Sequence, residues 1–297
     1  MKRLRIDVLS LTKRLEIILK MLVNTQITSK YRSVYKGKGL EFEDYRVYSP
    51  EDDASRIDWK ASVRANETLI KLFKEERNLN VYIVLDTSSS MIFGSTEKLK
   101  LEYAAELAAS FAYFILEAND RVGLVMFNDK IVKMLMPAAG KKQFYIILNA
   151  LVNADFYGGG YNLENAVNFL MKTSKERGLM IIISDFIGAK AECEKILRTA
   201  AVKFDMVGVM IRDPRDEVMP QEDVGQFVIQ DPYSDTTLLI DPRKIGEGYR
   251  SYVQKEEAGI NKAFLEGNLD LIKLSTSESF IKVLIEFFMK RRKWAWR

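Results

Sequence analysis

The sequence predicts an α/β fold: a mainly parallel central sheet with one antiparallel edge strand, helices on both faces, and a β-containing elaboration in front. Three observations carry this. Short, nearly apolar runs recur at Val81 to Leu85, Arg121 to Phe127, Leu179 to Ile183 and Asp205 to Ile211, as strands buried on both faces do. Helical periodicity fills the intervals between them. Two of the runs end in an aspartate beside hydroxyls, Asp86 and Asp185. Strand ends of that kind form the rim where open α/β sheets hold ligands.

Three segments follow from the change of text along the 297 residues: 1–28, 29–78 and 79–297. In the first, Leu11, Leu15, Ile18, Leu19 and Leu22 fall on one helical face. A packing helix is the first reading and a membrane-surface helix the second. The basic-then-apolar start is not read as a signal sequence, because Lys13, Arg14, Glu16 and Lys20 interrupt it. The second segment is dense in charges, aromatics and turn residues. Gly37 and Gly39 flank an expected turn, residues 49–53 form another, and Thr68 to Phe73 alternates as a strand. Tyr45, Tyr48 and Trp59 interleave with both signs of charge, which argues for a packed surface rather than a solvated face.

The third segment supplies the sheet. After the strand at 81–85 comes a helix over 97–117 whose alanines suit close packing. The strand at 121–127 meets an antiparallel partner at 130–136 through Asn128-Asp129. A helix over 140–152 follows, and the glycines 158–160 open another over 163–177. The strand at 179–183 leads to a helix at 189–202 and a strand at 205–211. Short strands are expected at 226–229 and 237–240, a helix at 249–265, a strand at 269–274 and a last helix at 280–290. No internal repeat and no low-complexity linker divides this segment.

Composition narrows the chemistry. There is no histidine, which excludes a Ser–His–Asp triad, a Cys–His dyad and histidine-ligated zinc, copper or haem. The single cysteine, Cys193, excludes an intrachain disulfide and a cysteine-rich zinc site; it reads as a structural thiol, and a reducing, cytoplasmic setting fits it. A net charge of +4 speaks against the whole molecule as a nucleic-acid binder. No stretch reaches the roughly 18 apolar residues of a membrane span.

Asp86, Ser88 and Ser90 place one carboxylate and two hydroxyls on alternate residues at the end of a strand. That compact set of hard oxygen donors suits Mg²⁺ or Mn²⁺. Asp185 closes a neighbouring strand on the same expected edge, and the glycine loop before Asn162 opens a helix beside them. The plainer alternative is that these groups cap strand ends by hydrogen bonding, with no metal.

The arrangement resembles the von Willebrand factor A-type domain and its metal ion-dependent adhesion site. Asp86, Ser88 and Ser90 match its Asp-x-Ser-x-Ser string, and Asp185 matches its distal aspartate. Its threonine is not matched: Tyr161 stands there, with Asn162 as a possible carbonyl donor. The resemblance implies Asp86 as the charged anchor, Ser88 and Ser90 as direct ligands, Asp185 as a direct or water-bridged one, and a coordination position left for a partner's acidic side chain. Over nearly its whole length the chain further resembles domain-of-unknown-function family 58. The likeness rests on Gly37-x-Gly39-x-Glu41-Phe42, Asp44 and Arg46, Asp53, and Arg56-Ile57-Asp58-Trp59-Lys60, with the stretches DRVGLVMFND, ISDF and VGVMIRDPRDEVMP later on. The resemblance implies a partnership with a MoxR-type AAA+ ATPase and its client, with the N-terminal motif residues binding that partner or supporting the fold.

The expected function is therefore a non-catalytic, divalent-metal-dependent protein-binding module, an adaptor or co-chaperone. A Mg²⁺-dependent phosphate-ester hydrolase built on Asp86 and Asp185 is the enzymatic alternative. A membrane- or nucleic-acid-surface role for the basic, tryptophan-bearing tail, Lys290 to Arg297, is the third.

Overall fold

β3 (Asn80–Asp86) is buried at every position and lies in the middle of the main sheet. The computed structural model describes residues 37–49, 52–54, 57–77, 79–189, 193–220, 225–234, 236–281 and 283. The helix expected over 1–28, Arg56 of the N-terminal motif, most of the last helix and the basic tail lie outside the described residues. Before β3 stand β1 (Gly37–Val47), α1 (Trp59–Ala65) and β2 (Leu69–Arg77). After it come α2 (Lys100–Glu117), β4 (Arg121–Phe127), β5 (Ile131–Ala138), α3 (Lys141–Leu151), α4 (Leu163–Thr173) and β6 (Gly178–Ser184). The chain continues through α5 (Cys193–Ala200), β7 (Phe204–Arg212), α6 (Pro214–Glu217), β8 (Phe227–Gln230), β9 (Thr237–Ile240), α7 (Pro242–Glu266) and β10 (Asp270–Ser275).

The main sheet runs β10-β7-β6-β3-β4-β5, and only β5 is antiparallel to its neighbour. Alternation along the strands splits the core into two layers. Val81, Ile83 and Leu85 of β3, with Ile181 and Ile183 of β6, pack under α2 and α3. Tyr82 and Val84, with Met180 and Ile182, pack under α4, α5 and α7. The small residues Ala104, Ala105, Ala108, Ala109 and Ala112 are all buried, so α2 sits close on the sheet. Pro137 is tolerated because β5 is an edge strand, and Gly123 opposite leaves room for it: a Cβ there would lie 3.0 Å from the proline nitrogen.

Two elements differ from the expectation. The segment 37–47, read as turn-rich, is one long strand, antiparallel to β2, with register shifts between Lys38 and Glu41 and between Phe42 and Asp44. Gly39 and its neighbours relieve a bulge instead of making a turn. α7 starts at Pro242, with Asp241 accepting from the Arg243 N–H at its head. Gly246 and Gly248 hid these first turns, but proline at the first helical position and an aspartate cap are sufficient to start a helix.

The described N-terminal charges lie at or near the surface. Arg46 pairs with Asp52 at 2.6 Å in an exposed position, Tyr45 donates to Asp58, and Trp59 is 68% exposed. The packed surface expected from the interleaved aromatics is not formed at Trp59 by the described residues. Among the described residues no helix is long and apolar enough to cross a membrane.

Candidate functional site

The parallel register Leu85↔Ile183 puts the tips of β3 and β6 side by side. Asp86 and Ser184 are the next residues on each strand, both on the α4 side, and they meet: the Ser184 hydroxyl donates to Asp86 Oδ2 at 2.6 Å. The Ser88 N–H donates to Oδ1 at 2.8 Å. Asp86 has no solvent exposure. Burial, and then the charge of Asp185, push its carboxyl up to about 7.

Asp185, one residue further on, turns to the start of α2. Lys100 Nζ donates to Asp185 Oδ2 at 2.7 Å and to Asp216 Oδ2 at 2.8 Å, and the Ile187 N–H donates to Asp185 Oδ1 at 2.9 Å. Lys100 is 1% exposed. Burial opposes its charge, but the two carboxylates outweigh that and hold its ammonium above the ordinary lysine value. A cation of the protein's own thus faces the distal aspartate. Asp213, at the tip of β7, is a third acidic strand end; it accepts from the Ser95 N–H, the Arg215 N–H and the Thr276 hydroxyl.

The loop after β3 is tied to the glycine loop before α4. The Gly158 N–H donates to the Thr87 carbonyl, the Ser89 N–H to the Gly159 carbonyl, and the Gly159 N–H to Ser89 Oγ. Gly159 has φ +92°, and a Cβ there would stand 2.7 Å from Asn128 Nδ2, so only glycine fits. The result is a buried pair of hydroxyls, Ser88 Oγ and Ser90 Oγ, 3.2 Å apart. Adjacent ligands of an octahedral ion held at about 2.1 Å stand about 3 Å from one another. The serine pair therefore has the spacing of one octahedral edge, with the Asp86 carboxyl two residues before it; among the described residues no group of three or more acidic or cysteine side chains forms a metal cage.

The remaining expected residues do other work. Asn162 caps α4, its side chain accepting from the Asn165 N–H at 2.9 Å. Tyr161 packs its ring on Phe127, and its buried hydroxyl lies beside Ser184 and Asp86 without a well-formed hydrogen bond. Burial, with Asp86 adding to it, raises that phenol well above its ordinary value. Of the N-terminal motif, Asp58 caps α1 by accepting from the Lys60 and Ala61 N–H groups. Gly37, Gly39, Glu41, Phe42, Asp44 and Arg46 all lie on β1, away from the rim strands in sequence and in a separate sheet. Asp53, Trp59 and Lys60 sit on the exposed surface around α1.

Sequence reasoning missed Lys100, Asp216 and Tyr233. Lys100 carries a signal once the helix start is known: it is a cation at the first position of α2, where the dipole disfavours it, so it needs an anionic partner. A helix begun at 97, as the sequence predicts, hides this. Tyr233, in the turn between β8 and β9, carried none. Its hydroxyl lies 2.9 Å from Ser90 Oγ, 3.3 Å from Ser88 Oγ and 2.8 Å from the Ile187 carbonyl oxygen. Phe186, between Asp185 and Ile187, has φ +56°, a strained conformation for a non-glycine residue held here by packing on Phe264.

Together the sheet order, the antiparallel edge and the Asp-x-Ser-x-Ser rim define an α/β protein of the von Willebrand factor A-like class. The chain belongs to the DUF58 family, described as "Protein of unknown function DUF58", which it matches over residues 44–259. It is 24% identical over 287 residues to the uncharacterized protein Mb1516 of Mycobacterium bovis, covering 95% of this chain and 89% of that one. Among solved structures it is similar to the conserved hypothetical protein BatB of Bacteroides thetaiotaomicron, with TM-score 0.50 and 18% identity, over 73% of this chain and all of that one. It is also similar to the SpRpn10 VWA domain, with TM-score 0.40 and 13% identity, over 71% of this chain and 95% of that one.

Proposed function

We propose that this protein is a non-catalytic binding module whose rim, at Asp86, Ser88 and Ser90, holds Mg²⁺ or Mn²⁺ and through it an acidic side chain of a partner protein. The observation that carries the reading is the serine hydroxyl pair, 3.2 Å apart, next to a buried carboxylate on the same sheet edge. A bound divalent cation would supply a Lewis-acidic position that a partner's carboxylate completes. The chain's own residues do the rest. Ser184 and the Ser88 N–H fix the orientation of Asp86. Lys100 is shared between Asp185 and Asp216, one ammonium against two carboxylates, so net negative charge remains at the rim for a cation. Every carboxylate oxygen of Asp86 and Asp185 is engaged inside the protein, which supports recognition rather than nucleophilic attack on a substrate.

Membership of this family, with the partnership it implies, supports a MoxR-type AAA+ ATPase as the partner. The reading is of an adaptor between that ATPase and its client, in a cytoplasmic setting that the lone cysteine fits. A pull-down with the ATPase, in Mg²⁺ and in excess chelator, tests both parts. The expected result is capture in Mg²⁺ that is lost in chelator and in Asp86→Ala. Equal capture in chelator would remove the metal from the mechanism, and no capture in either would remove this partner.

A further inference from the structure

We propose that Tyr233 is the third hydroxyl donor of the rim cation site, so that binding a cation and seating the β8–β9 hairpin are one event. The proposal deepens the metal-dependent reading above and rests on it. Ser88 Oγ, Ser90 Oγ and the Tyr233 hydroxyl form a triangle with sides of 3.2, 2.9 and 3.3 Å. Three mutually adjacent ligands of an octahedral ion make a triangle with sides of about 3 Å, one face of the octahedron. A cation seated over this face reaches all three oxygens at once.

The proton arrangement favours the same role. The Tyr233 hydroxyl has two acceptors in reach, Ser90 Oγ at 2.9 Å and the Ile187 carbonyl oxygen at 2.8 Å. The carbonyl can only accept, whereas Ser90 can donate in return, so the arrangement that satisfies all three directs the phenol proton to the carbonyl. The lone pairs of the phenol oxygen are then turned toward the two serines. At the position where the adhesion-site pattern has its threonine, Tyr161 turns its hydroxyl to Ser184 and Asp86, and among the described contacts it makes none with Ser88 or Ser90. Tyr233 thus supplies, from a hairpin distant in sequence, the hydroxyl that position does not turn to the serines.

The hairpin is built to deliver it. Asp231 accepts from the Tyr233 N–H at 2.9 Å and from the Ser234 hydroxyl at 2.8 Å, which fixes the turn. Gly188, with φ +90°, lets the tyrosine ring approach: a Cβ there would lie 3.2 Å from Tyr233 Cε2. Among the described residues, β8 and β9 pair only with each other, in a sheet separate from the main one, and Val228, Leu238 and Leu239 are exposed on them. The phenol is therefore a principal polar link from the hairpin to the rim. Oxygen-only donors restrict the ion to the hard cations, Mg²⁺, Mn²⁺ or Ca²⁺, over zinc.

The test titrates the full chain with Mn²⁺, counting free ion by electron paramagnetic resonance, and follows amide hydrogen exchange over residues 227–240. The wild type is expected to bind Mn²⁺ and to slow exchange in the hairpin when it does. Tyr233→Phe is expected to bind Mn²⁺ roughly tenfold more weakly or worse, with hairpin exchange indifferent to the ion. Wild-type affinity in Tyr233→Phe, or wild-type hairpin exchange unmoved by saturating Mn²⁺, overturns the proposal. If Asp86→Ala loses Mn²⁺ while Tyr233→Phe keeps it, the role of Tyr233 fails and the rim site stands. If the wild type binds no Mn²⁺, both fail.

Discussion

The rim and the N-terminal β1–α1–β2 region are made of the same kinds of residue, yet they place them in opposite ways. At the rim, Asp86, Lys100 and Asp185 are buried to 1% exposure or less, and each is bonded inside the protein. In the N-terminal region, Arg46 pairs with Asp52 at half exposure, and Trp59 and Val63 point outward at 68% and 81%. In the sequence the rim reads as aspartates and hydroxyls that close apolar runs, and the N-terminal region as charges mixed with aromatics and turn residues. Position in the sheet separates them. A polar residue that ends a central strand is surrounded by neighbouring strands and the loops above them, so its charge must be met by the protein. The described polar residues of the N-terminal region lie at or near the surface, where water meets their charge.

The contrast predicts a steep difference in energetic stakes. Removing one partner of a buried ion pair costs about 3–5 kcal/mol, because the other charge is left unpaired. Lys100→Met should therefore lower unfolding free energy by about that amount in urea titration, and Asp185→Asn in the same chain should restore part of it. A Lys100→Met protein as stable as the wild type would show that the rim is wetter than its burial indicates, and would erase the comparison.

The next effect is in pH. The Asp86 carboxyl rises from 3.8 to about 7 on folding, through burial first and Asp185 second. Between those values the native state holds a proton that the unfolded state has released. In chelator, then, stability from this group is complete below about pH 4 and is lost as pH rises toward 7. Asp86→Asn, which keeps the shape and drops the charge, should flatten that decline. An unchanged pH profile in the variant would assign the decline to another group.

Smaller effects belong to the N-terminal region. Asp58→Ala removes the cap of α1 and should cost about 1 kcal/mol, with protection lost in α1 and not in the main sheet. Trp59→Ser should change stability by less than about 0.5 kcal/mol, because the indole is mostly in water already. If Trp59→Ser instead weakens capture of the proposed ATPase partner, the exposed motif is itself a contact surface beside the proposed rim site.

Much of the fold was legible in the sequence. The apolar runs at 81–85, 121–127, 179–183 and 205–211 appear as β3, β4, β6 and β7 with ends moved by a residue or so, because strands buried on both faces carry an unbroken signal. The Asn128-Asp129 turn and its antiparallel partner were equally readable. β1 was not: its glycines and charges look like turn text, and only pairing with β2 makes them a strand. At the rim, Asp86, Ser88 and Ser90 could be found because they alternate within five positions at and just after the end of one strand.

What the sequence settled alone was local: which runs are strands, where three oxygen donors cluster within five residues, and that histidine chemistry is absent. Tertiary structure decided everything that joins distant residues. It paired Asp86 with Ser184, gave Asp185 a lysine 85 positions away, and laid Tyr233 against two serines more than 140 positions before it. Spacing along the chain cannot encode such contacts, since they arise only when parallel strands align their tips and loops fold over the common edge.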